Sequence, residues 1–167
     1  PHMASPPSAR SMTLRPYEAP DREAVMRIAA ETHSINHFFN DPWLDREDSE
    51  RVFARWVERC CDGLASQVFV LEKAGRVEGF AVYLSPGGLN KALGTRIAIL
   101  DFICLTPAAR GAGIGRWMVS QTAHKLNDQP EILELRTSNH NYAALACYLS
   151  IGMEPIAGDF ILHRHLE

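Results

Sequence analysis

The apolar residues of this chain recur with two different periods, and the changes between the periods divide it into helices and strands. Spacings of three and four residues predict helices that begin near positions 21, 48, 114 and 141. Short runs rich in β-branched and aromatic residues predict the strands. These strands span residues 12–15, 67–73, 77–84, 95–105, 132–137, 153–157 and 160–165.

The order of these elements is β-α-α-β-β-β-α-β-α-β-β, which predicts an α/β protein. We expect a mixed, mostly antiparallel sheet of about seven strands with helices on both faces. The run 95–105 is the longest strand, and its length favours an interior position in the sheet. Residues 85–88 contain a proline and two glycines and predict a loop. The second helix is expected to bury Val52, Phe53, Trp56, Val57, Cys60 and Cys61.

Length and composition indicate one domain of ordinary size. The chain has 167 residues, of which 46% are hydrophobic and 22% charged. We expect a single domain over residues 12–167. Residues 1–11 are expected to be a cloning remnant followed by a proline-rich, disordered tail. A homodimer is left open.

Charge and hydropathy argue against two classes of partner. The formal net charge of −3 gives no reason to expect nucleic acid or an anionic membrane surface. No apolar run approaches the roughly 20 residues that cross a bilayer. No signal-peptide core follows the first residues, so the cytoplasm is the expected location.

The cysteines predict neither disulfides nor metal binding. Cys60, Cys61, Cys104 and Cys147 show no Cys-x-x-Cys spacing and no paired histidine ligands. We therefore expect reduced cysteines that pack as small apolar side chains, and no metal ion.

A glycine-rich turn follows the longest strand and opens the next helix. Residues 105–115 read Leu-Thr-Pro-Ala-Ala-Arg-Gly-Ala-Gly-Ile-Gly. Glycines let a ligand approach the backbone, and the free N–H groups of a helix start bind anions such as pyrophosphate. Arg110 and Arg116 add positive charge. The turn is not a Walker A loop, because no Gly-Lys-Ser/Thr follows, and Arg116 stands where a Rossmann fingerprint needs its third glycine.

A second stretch, residues 141–153, completes a pattern that resembles the GNAT superfamily of N-acetyltransferases. The family's Arg/Gln-x-x-Gly-x-Gly/Ala signature is matched by Arg110, Gly113 and Gly115. Its Asn-x-x-Ala-x-x-x-Tyr-x-x-x-Gly-Phe signature is matched by Asn141, Ala144, Tyr148 and Gly152, with Met153 replacing the phenylalanine. The two motifs and the residues between them span 105–153, a little under a third of the chain.

The resemblance implies an enzyme that moves an acetyl group from acetyl-CoA to a primary amine by direct attack. It implies that backbone N–H groups of residues 110–115 hold the pyrophosphate. The strand edge at 103–105 would pair with the pantetheine arm, which Asn141 would also contact. Tyr148 would protonate the leaving thiolate. The implied cofactor-binding set is Ile103, Cys104, Leu105, Arg110, Gly111, Ala112, Gly113, Ile114, Gly115, Arg116, Asn141, Ala144 and Tyr148.

Elementary chemistry supports the role of Tyr148. Ala144 and Tyr148 are four residues apart and share a helix face, so a small side chain leaves room for a ligand beside the phenol. A phenol can donate a proton to a departing thiolate. The alternative is a core tyrosine with a satisfied hydroxyl, and Asn141 together with the glycine turn favours the catalytic role.

The base that accepts the amine proton is less clearly marked. Asp101 interrupts an apolar strand, which indicates either a catalytic base or a buried carboxylate held by backbone amides or an arginine. His163 on the last predicted strand is the second candidate, with an ordinary solvated histidine as the alternative. We expect His165 to point to the opposite face. Phe39 and His163 are predicted to contact the acceptor.

The amino-terminal half resembles nucleotide-sugar amine acetyltransferases of the dTDP-fucosamine type. The likeness lies in aromatic positions and spacing, over residues 39–43 and at Asp48, Phe53, Trp56 and Gly63. It implies a small-molecule acceptor such as an amino sugar. A protein or peptide amine acetyltransferase and a non-catalytic acyl-CoA-binding module of the same fold remain alternatives.

Overall fold

Five strands form one sheet in the computed structural model, which describes residues 4–32, 38 and 41–165. They are β1 (Met12–Pro16), β2 (Gln67–Lys73), β3 (Arg76–Leu84), β4 (Ile97–Leu105) and β5 (Ile132–Leu135). The strands lie side by side in chain order. The pairs from β1 to β4 are antiparallel, and β5 is parallel to β4, so the predicted mixed sheet is confirmed.

Helices cover both faces of this sheet, as predicted. They are α1 (Arg22–Thr32), α2 (Arg46–Arg59), α3 (Gly87–Leu93), α4 (Ile114–Lys125) and α5 (Tyr142–Ser150). One core lies under α1 and α2 and contains Val25, Ile28 and Val57. The other lies under α4 and α5 and contains Trp117 and Met118. In the described part of the chain, no helix is both long and apolar enough to cross a membrane.

Strands β2 and β3 supply both cores, because successive side chains of a strand point to opposite faces. On β3, Phe80 and Val82 pack under α1 and α2, whereas Ala81 and Tyr83 pack under α4. All four are fully buried. A strand covered on both faces needs apolar residues at every position, which explains its uninterrupted apolar run.

Strand β4 changes face at a β-bulge. Val82 of β3 faces Phe102 and Tyr83 faces Leu100, so Asp101 is an extra residue without a partner in the ladder. Leu100 therefore packs in the core under α4, whereas Phe102 packs in the core under α1 and α2. The bulge places Asp101 at the point where the strand turns from one core to the other.

The predicted closing pair of strands is wrong, so the sheet has five strands rather than about seven. Within the described residues, 153–165 belong to no helix or strand. Phe160 and Leu162 are 95% and 89% exposed, and Ile156 is also exposed. Their alternation resembles that of a strand, but no buried face receives the apolar side chains.

The predicted loop at 85–88 is also partly wrong, because α3 begins at Gly87. Asn90 of this helix accepts a hydrogen bond from the Ile97 N–H and donates one to the Ile97 carbonyl, each at 3.1 Å. Gly94, with a φ of 66°, ends the helix. These anchors to β4 stabilise a helix that the local glycines disfavour.

The apolar stripe predicted for α2 is only partly buried. Val57 and Cys60 are buried, but Val52 and Trp56 are 48% and 41% exposed, so the expectation for those two residues is wrong. The helix packs against α1 and the sheet. Only the part of its apolar stripe that faces them is buried. The indole of Trp56 instead has a polar partner, described below.

Candidate active site

The second half of β4 has one edge that no other strand covers. Pairing between β4 and β5 ends where Leu100 faces Leu135. Among the described strands, residues 102–105 pair with β3 alone. Gly79 of β3 permits this close pairing, because a Cβ there would lie 2.6 Å from the Cys104 carbonyl oxygen. The predicted strand edge at Ile103–Leu105 therefore exists.

The turn that follows β4 leaves several backbone donors for a ligand. The φ angles of Gly111, Ala112 and Gly113 are 80°, 47° and 78°, all left-handed. Such a conformation costs a non-glycine residue such as Ala112 about 1–2 kcal/mol. The Ile114 N–H binds the Gly111 carbonyl at 3.2 Å. Among the described residues, none accepts a hydrogen bond from the N–H of Gly111, Ala112, Gly113, Gly115 or Arg116.

Two arginines lie at this turn, as predicted. The Arg110 Nε donates to the Leu105 carbonyl at 3.1 Å, which ties the turn to the end of β4. The Arg116 guanidinium lies over Gly113, since a Cβ on that glycine would be 2.9 Å from the Arg116 Nε. The first turn of α4 thus combines unpaired N–H groups with positive charge, an arrangement that binds anions.

Tyr148 of α5 packs against the same core as Ile103 and Leu105. In the described part of the chain, the Tyr148 hydroxyl has no hydrogen-bond partner. Every side-chain oxygen or nitrogen there that is fully buried from solvent does have one. The hydroxyl is therefore accessible. Burial of the side chain raises the pKa of Tyr148, and the nearby thiols of Cys147 and Cys104 raise it further. The phenol is consequently protonated at neutral pH.

Cys147 is the other nucleophilic group near the turn. Its Sγ lies 3.8 Å from the position of a Cβ built on Gly115, so this glycine allows α4 and α5 to approach each other. Burial raises the pKa of Cys147, although the charge of Arg116 lowers it in part. A thiol with a raised pKa is a poor nucleophile at neutral pH.

Asn141 caps the helix that carries Tyr148, as predicted. Its Oδ1 accepts a hydrogen bond from the Ala144 N–H at 3.3 Å. This bond fixes the first turn of α5, and Ala144 lies in that turn. The contact between Asn141 and a cofactor arm stays a prediction.

Asp101 contacts α2 through an indole. The Trp56 Nε1 donates to the Asp101 Oδ2 at 2.6 Å. For a structural Asp101, the sequence predicted backbone amides or an arginine as its partners. It did not predict a tryptophan. The nearby Asp101 carboxylate and burial together raise the pKa of Cys60 to about 12, with burial the larger cause.

His163 and His165 both contact Asp41, so the expectation that His165 points away is wrong. Residues two apart in an extended segment share a face. The His163 Nδ1 lies 2.5 Å from the Asp41 Oδ2, and the His165 Nε2 lies 2.9 Å from the same atom. The His163 contact is the largest of the causes that lower the pKa of Asp41 to about 2. Sequence reasoning missed Asp41, because 122 positions separate it from His163.

A row of aromatic rings connects this cluster to β4. Ring centroids are 6.2 Å apart between Phe102 and Phe53, 6.1 Å between Phe53 and Phe38, and 6.2 Å between Phe38 and His163. The row places His163 on the α1–α2 side of the sheet, the side on which Asp101 meets Trp56. Phe39, predicted to contact the acceptor, lies outside the described residues.

These features, a strand edge beside unpaired turn amides and an accessible phenol, define the class of acyl-CoA-dependent transferases. The chain belongs to the acetyltransferase (GNAT) family, whose family model matches residues 23–153. Members of this family are acetyl-CoA-dependent N-acetyltransferases. The dTDP-fucosamine subtype remains a prediction.

Similar proteins span several acceptor classes. The spore coat polysaccharide biosynthesis protein SpsD of Bacillus subtilis (strain 168) is 28% identical over 96% of this chain. The chain spans only 55% of that relative's length. A ribosomal-protein-alanine N-acetyltransferase from Brucella melitensis biovar Abortus 2308 matches with a TM-score of 0.68 at 15% identity, covering 92% of this chain and 99% of that one.

A second solved structure is bound to the cofactor product. The aminoglycoside N-acetyltransferase AAC(6')-Iy in complex with CoA has a TM-score of 0.65 at 14% identity, covering 93% of this chain and 95% of that one. At these identities the solved structures support the fold alone.

Proposed function

We propose that the chain transfers the acetyl group of acetyl-CoA to the primary amine of a small molecule, with an amino sugar as the preferred class. The observation that carries this proposal is the Tyr148 phenol, accessible and without a partner in the described residues, beside the open edge of β4. An accessible hydroxyl with no partner in the described residues is available to donate a hydrogen bond to a bound ligand.

Donor binding rests on backbone groups. The N–H groups of Gly111, Ala112, Gly113, Gly115 and Arg116 bind the pyrophosphate, and Arg116 supplies charge. Residues Ile103–Leu105 pair with the amide-containing arm as an added strand would. Acetyl-CoA supplies an activated thioester when bound.

The chemical step is direct transfer between the two substrates. A bond forms between the amine nitrogen and the acetyl carbon as the carbon–sulfur bond breaks. Tyr148 donates its proton to the sulfur, because its raised pKa keeps it protonated at neutral pH. The amine proton passes to Asp101 or to a water molecule that Asp101 orders. Cys147 takes no part, since burial raises the pKa of its thiol.

Asp101 is the base on two grounds. It is the extra residue of the β4 bulge, between Leu100 and Phe102, and its carboxylate lies on the side of α2. The Trp56 indole holds one carboxylate oxygen, so it orients the group without protonating it. His163, positioned by Asp41 at the end of the aromatic row, contacts the acceptor.

The acceptor class is supported by the relatives. The Bacillus subtilis protein is named for spore coat polysaccharide biosynthesis, and one solved structure is an aminoglycoside acetyltransferase. Both names concern sugar-containing molecules. A nucleotide-linked amino sugar of the dTDP-fucosamine type is the finer version of the proposal. The ribosomal-protein-alanine enzyme favours the second candidate, a protein or peptide amine.

The test is turnover of acetyl-CoA against nucleotide-linked amino sugars, aminoglycosides, polyamines and peptides with free amino termini. Release of free thiol with a kcat/KM far higher for an amino sugar supports the proposal. A preference for peptides would replace it with the second candidate. Binding of acetyl-CoA without turnover on any acceptor would leave a non-catalytic acyl-CoA-binding module.

A further inference from the structure

We propose that Asp41, His163 and His165 form a site for a divalent transition-metal ion, with Zn²⁺ as the best fit, that fastens the carboxyl-terminal segment to the loop before α2. Each residue offers one ligand atom, and these atoms all lie within 4.8 Å of one another. The site is separate from the cofactor turn and from Tyr148, and it shares Asp41 and His163 with the proposed acceptor region.

The distances suit an ion after a small adjustment. The His163 Nδ1 is 2.5 Å and the His165 Nε2 is 2.9 Å from the Asp41 Oδ2. Zinc binds such atoms at about 2.0–2.2 Å, which separates two ligands of a tetrahedral ion by about 3.4 Å. The three side chains therefore need to open by less than about 1 Å to admit the ion. The exposed imidazoles, 31% and 44% accessible, are free to make that movement.

The charge of Asp41 also points to a cation. Its side chain is only 6% exposed. In the part of the chain that the structure describes, Asp41 forms ion pairs or hydrogen bonds with the two histidines but with no lysine or arginine. A largely buried carboxylate is stabilised by a positive charge, which a divalent ion would supply. Two imidazoles and one carboxylate are ligands that suit zinc.

The two chain segments explain what the ion does. Residues 153–165 form no helix or strand, and Phe160 and Leu162 are almost fully exposed. The contacts of His163 and His165 with Asp41 hold the end of this segment. The Trp43 ring lies beside His165, with centroids 5.9 Å apart, and Phe38 lies beside His163. Coordination there substitutes for the ladder bonds that the segment lacks.

The first experiment is a calorimetric titration of Zn²⁺ into chelator-treated, untagged protein at slightly alkaline pH. We expect one ion per chain. Asp41→Asn keeps the shape but removes the charge, and His165→Gln removes one imidazole. Each should weaken binding at least about 10-fold. His140→Gln changes an exposed histidine outside the cluster and should leave the affinity unchanged. Circular dichroism confirms that each variant is folded.

Substitution with Co²⁺ identifies the ligand atoms. Absorption bands of a nitrogen and oxygen site are expected, without the thiolate-to-metal band that Cys60, Cys61, Cys104 or Cys147 would give. Wild-type affinity in both Asp41→Asn and His165→Gln, a thiolate band, or no stoichiometric binding would each overturn the site.

Amide hydrogen exchange tests the fastening. Zn²⁺ should slow exchange within residues 153–165 in the wild-type protein but not in Asp41→Asn. If Zn²⁺ binds the cluster and exchange in that segment is unchanged, the fastening role is wrong.

Discussion

The two proposed sites lie on opposite sides of the sheet and consist of different chemical groups. On the α4–α5 side, the proposed donor region consists of backbone groups from one short stretch, residues 103–116, with Tyr148 added from α5. On the α1–α2 side, the proposed acceptor region consists of side chains from four separate segments, namely Asp101, Trp56, Asp41 and His163. The proposed donor region would recognise its ligand through main-chain N–H groups, which every residue except proline carries.

In the proposed assignment, the donor region can be kept while the acceptor region changes. A backbone site tolerates most side-chain changes as long as the turn keeps its conformation. A side-chain site changes its ligand with single substitutions. The donor region should therefore respond to changes of conformation, and the acceptor region to changes of functional group.

Tyr148→Phe should have the largest effect, because it removes a functional group from the donor side. The ring and its packing remain, but the proton for the leaving sulfur is lost. We expect turnover to fall about 10²- to 10⁴-fold, the scale of a positioned general acid. Affinity for coenzyme A, measured by calorimetry, should barely change. A thioester with a more acidic thiol should recover part of the loss.

Asp101→Asn should come next, with turnover reduced about 10²-fold and acetyl-CoA affinity retained. The amide keeps the hydrogen bond from Trp56 but cannot accept the amine proton. The low-pH limb of the kcat profile should shift or vanish. Trp56→Phe is the matched control, since it removes the indole N–H that bonds to Asp101 but keeps the carboxylate, and its loss of turnover should be smaller. Normal turnover per folded Asp101→Asn molecule would make Asp101 structural.

Gly113→Val tests whether the donor side depends on conformation. Valine disfavours the left-handed φ of 78°, and its Cβ would lie 2.9 Å from the Arg116 Nε. A strain of about 1.4 kcal/mol corresponds to a tenfold loss of affinity, which we expect for acetyl-CoA. The protein should remain folded by circular dichroism. Unchanged affinity would remove this turn from the donor site.

Asp21→Asn changes an ion pair with Arg15 of β1, outside both proposed regions. It should therefore affect the free energy of unfolding rather than turnover. Arg15 binds the Asp21 carboxylate at 2.7 and 2.8 Å, and this contact is the main cause that lowers the pKa of Asp21. The lowered pKa contributes stability above the unfolded value of about 3.9, and that contribution is lost as the pH falls through the folded pKa. Denaturant unfolding at neutral pH should show a loss of about 1–3 kcal/mol.

At acid pH the wild type and the Asp21→Asn variant should converge in stability. An equal difference at neutral and acid pH would mean that packing, and not the ion pair, causes the loss. Kinetic constants per folded molecule should match those of the wild type. Such a result would show that the Arg15–Asp21 pair contributes to stability but not to either proposed site.

Cys147→Ala should have the smallest effect and retain most of the activity. The thiol lies beside Gly115 and Arg116, so it tests whether the donor side contains a hidden nucleophile. Mass spectrometry should detect no acetylated enzyme during turnover. An inactive Cys147→Ala together with an active Tyr148→Phe would overturn direct transfer.

How far the sequence predicts each region follows from the same contrast. The turn at 110–115 and the Asn141 cap are local, so their spacing predicted both. The contact between Asp41 and His163 joins residues 122 positions apart. It depends on the tertiary fold, so no local spacing in the sequence predicts it. The bulge at Asp101 depends on the partner strand, and the carboxyl-terminal alternation carries no information on whether a buried face receives it.

The bulge at Asp101 has a consequence for how such proteins diverge. Leu100 packs in one core and Phe102 in the other, although residues two apart in a regular strand share a face. Asp101 is the extra residue that makes this change of face possible. If Asp101 were deleted, Leu100 and Phe102 would be adjacent, would still point to opposite faces, and would continue a regular ladder. Insertion of one residue is therefore a route by which a buried strand can gain a carboxylate while both cores keep their packing.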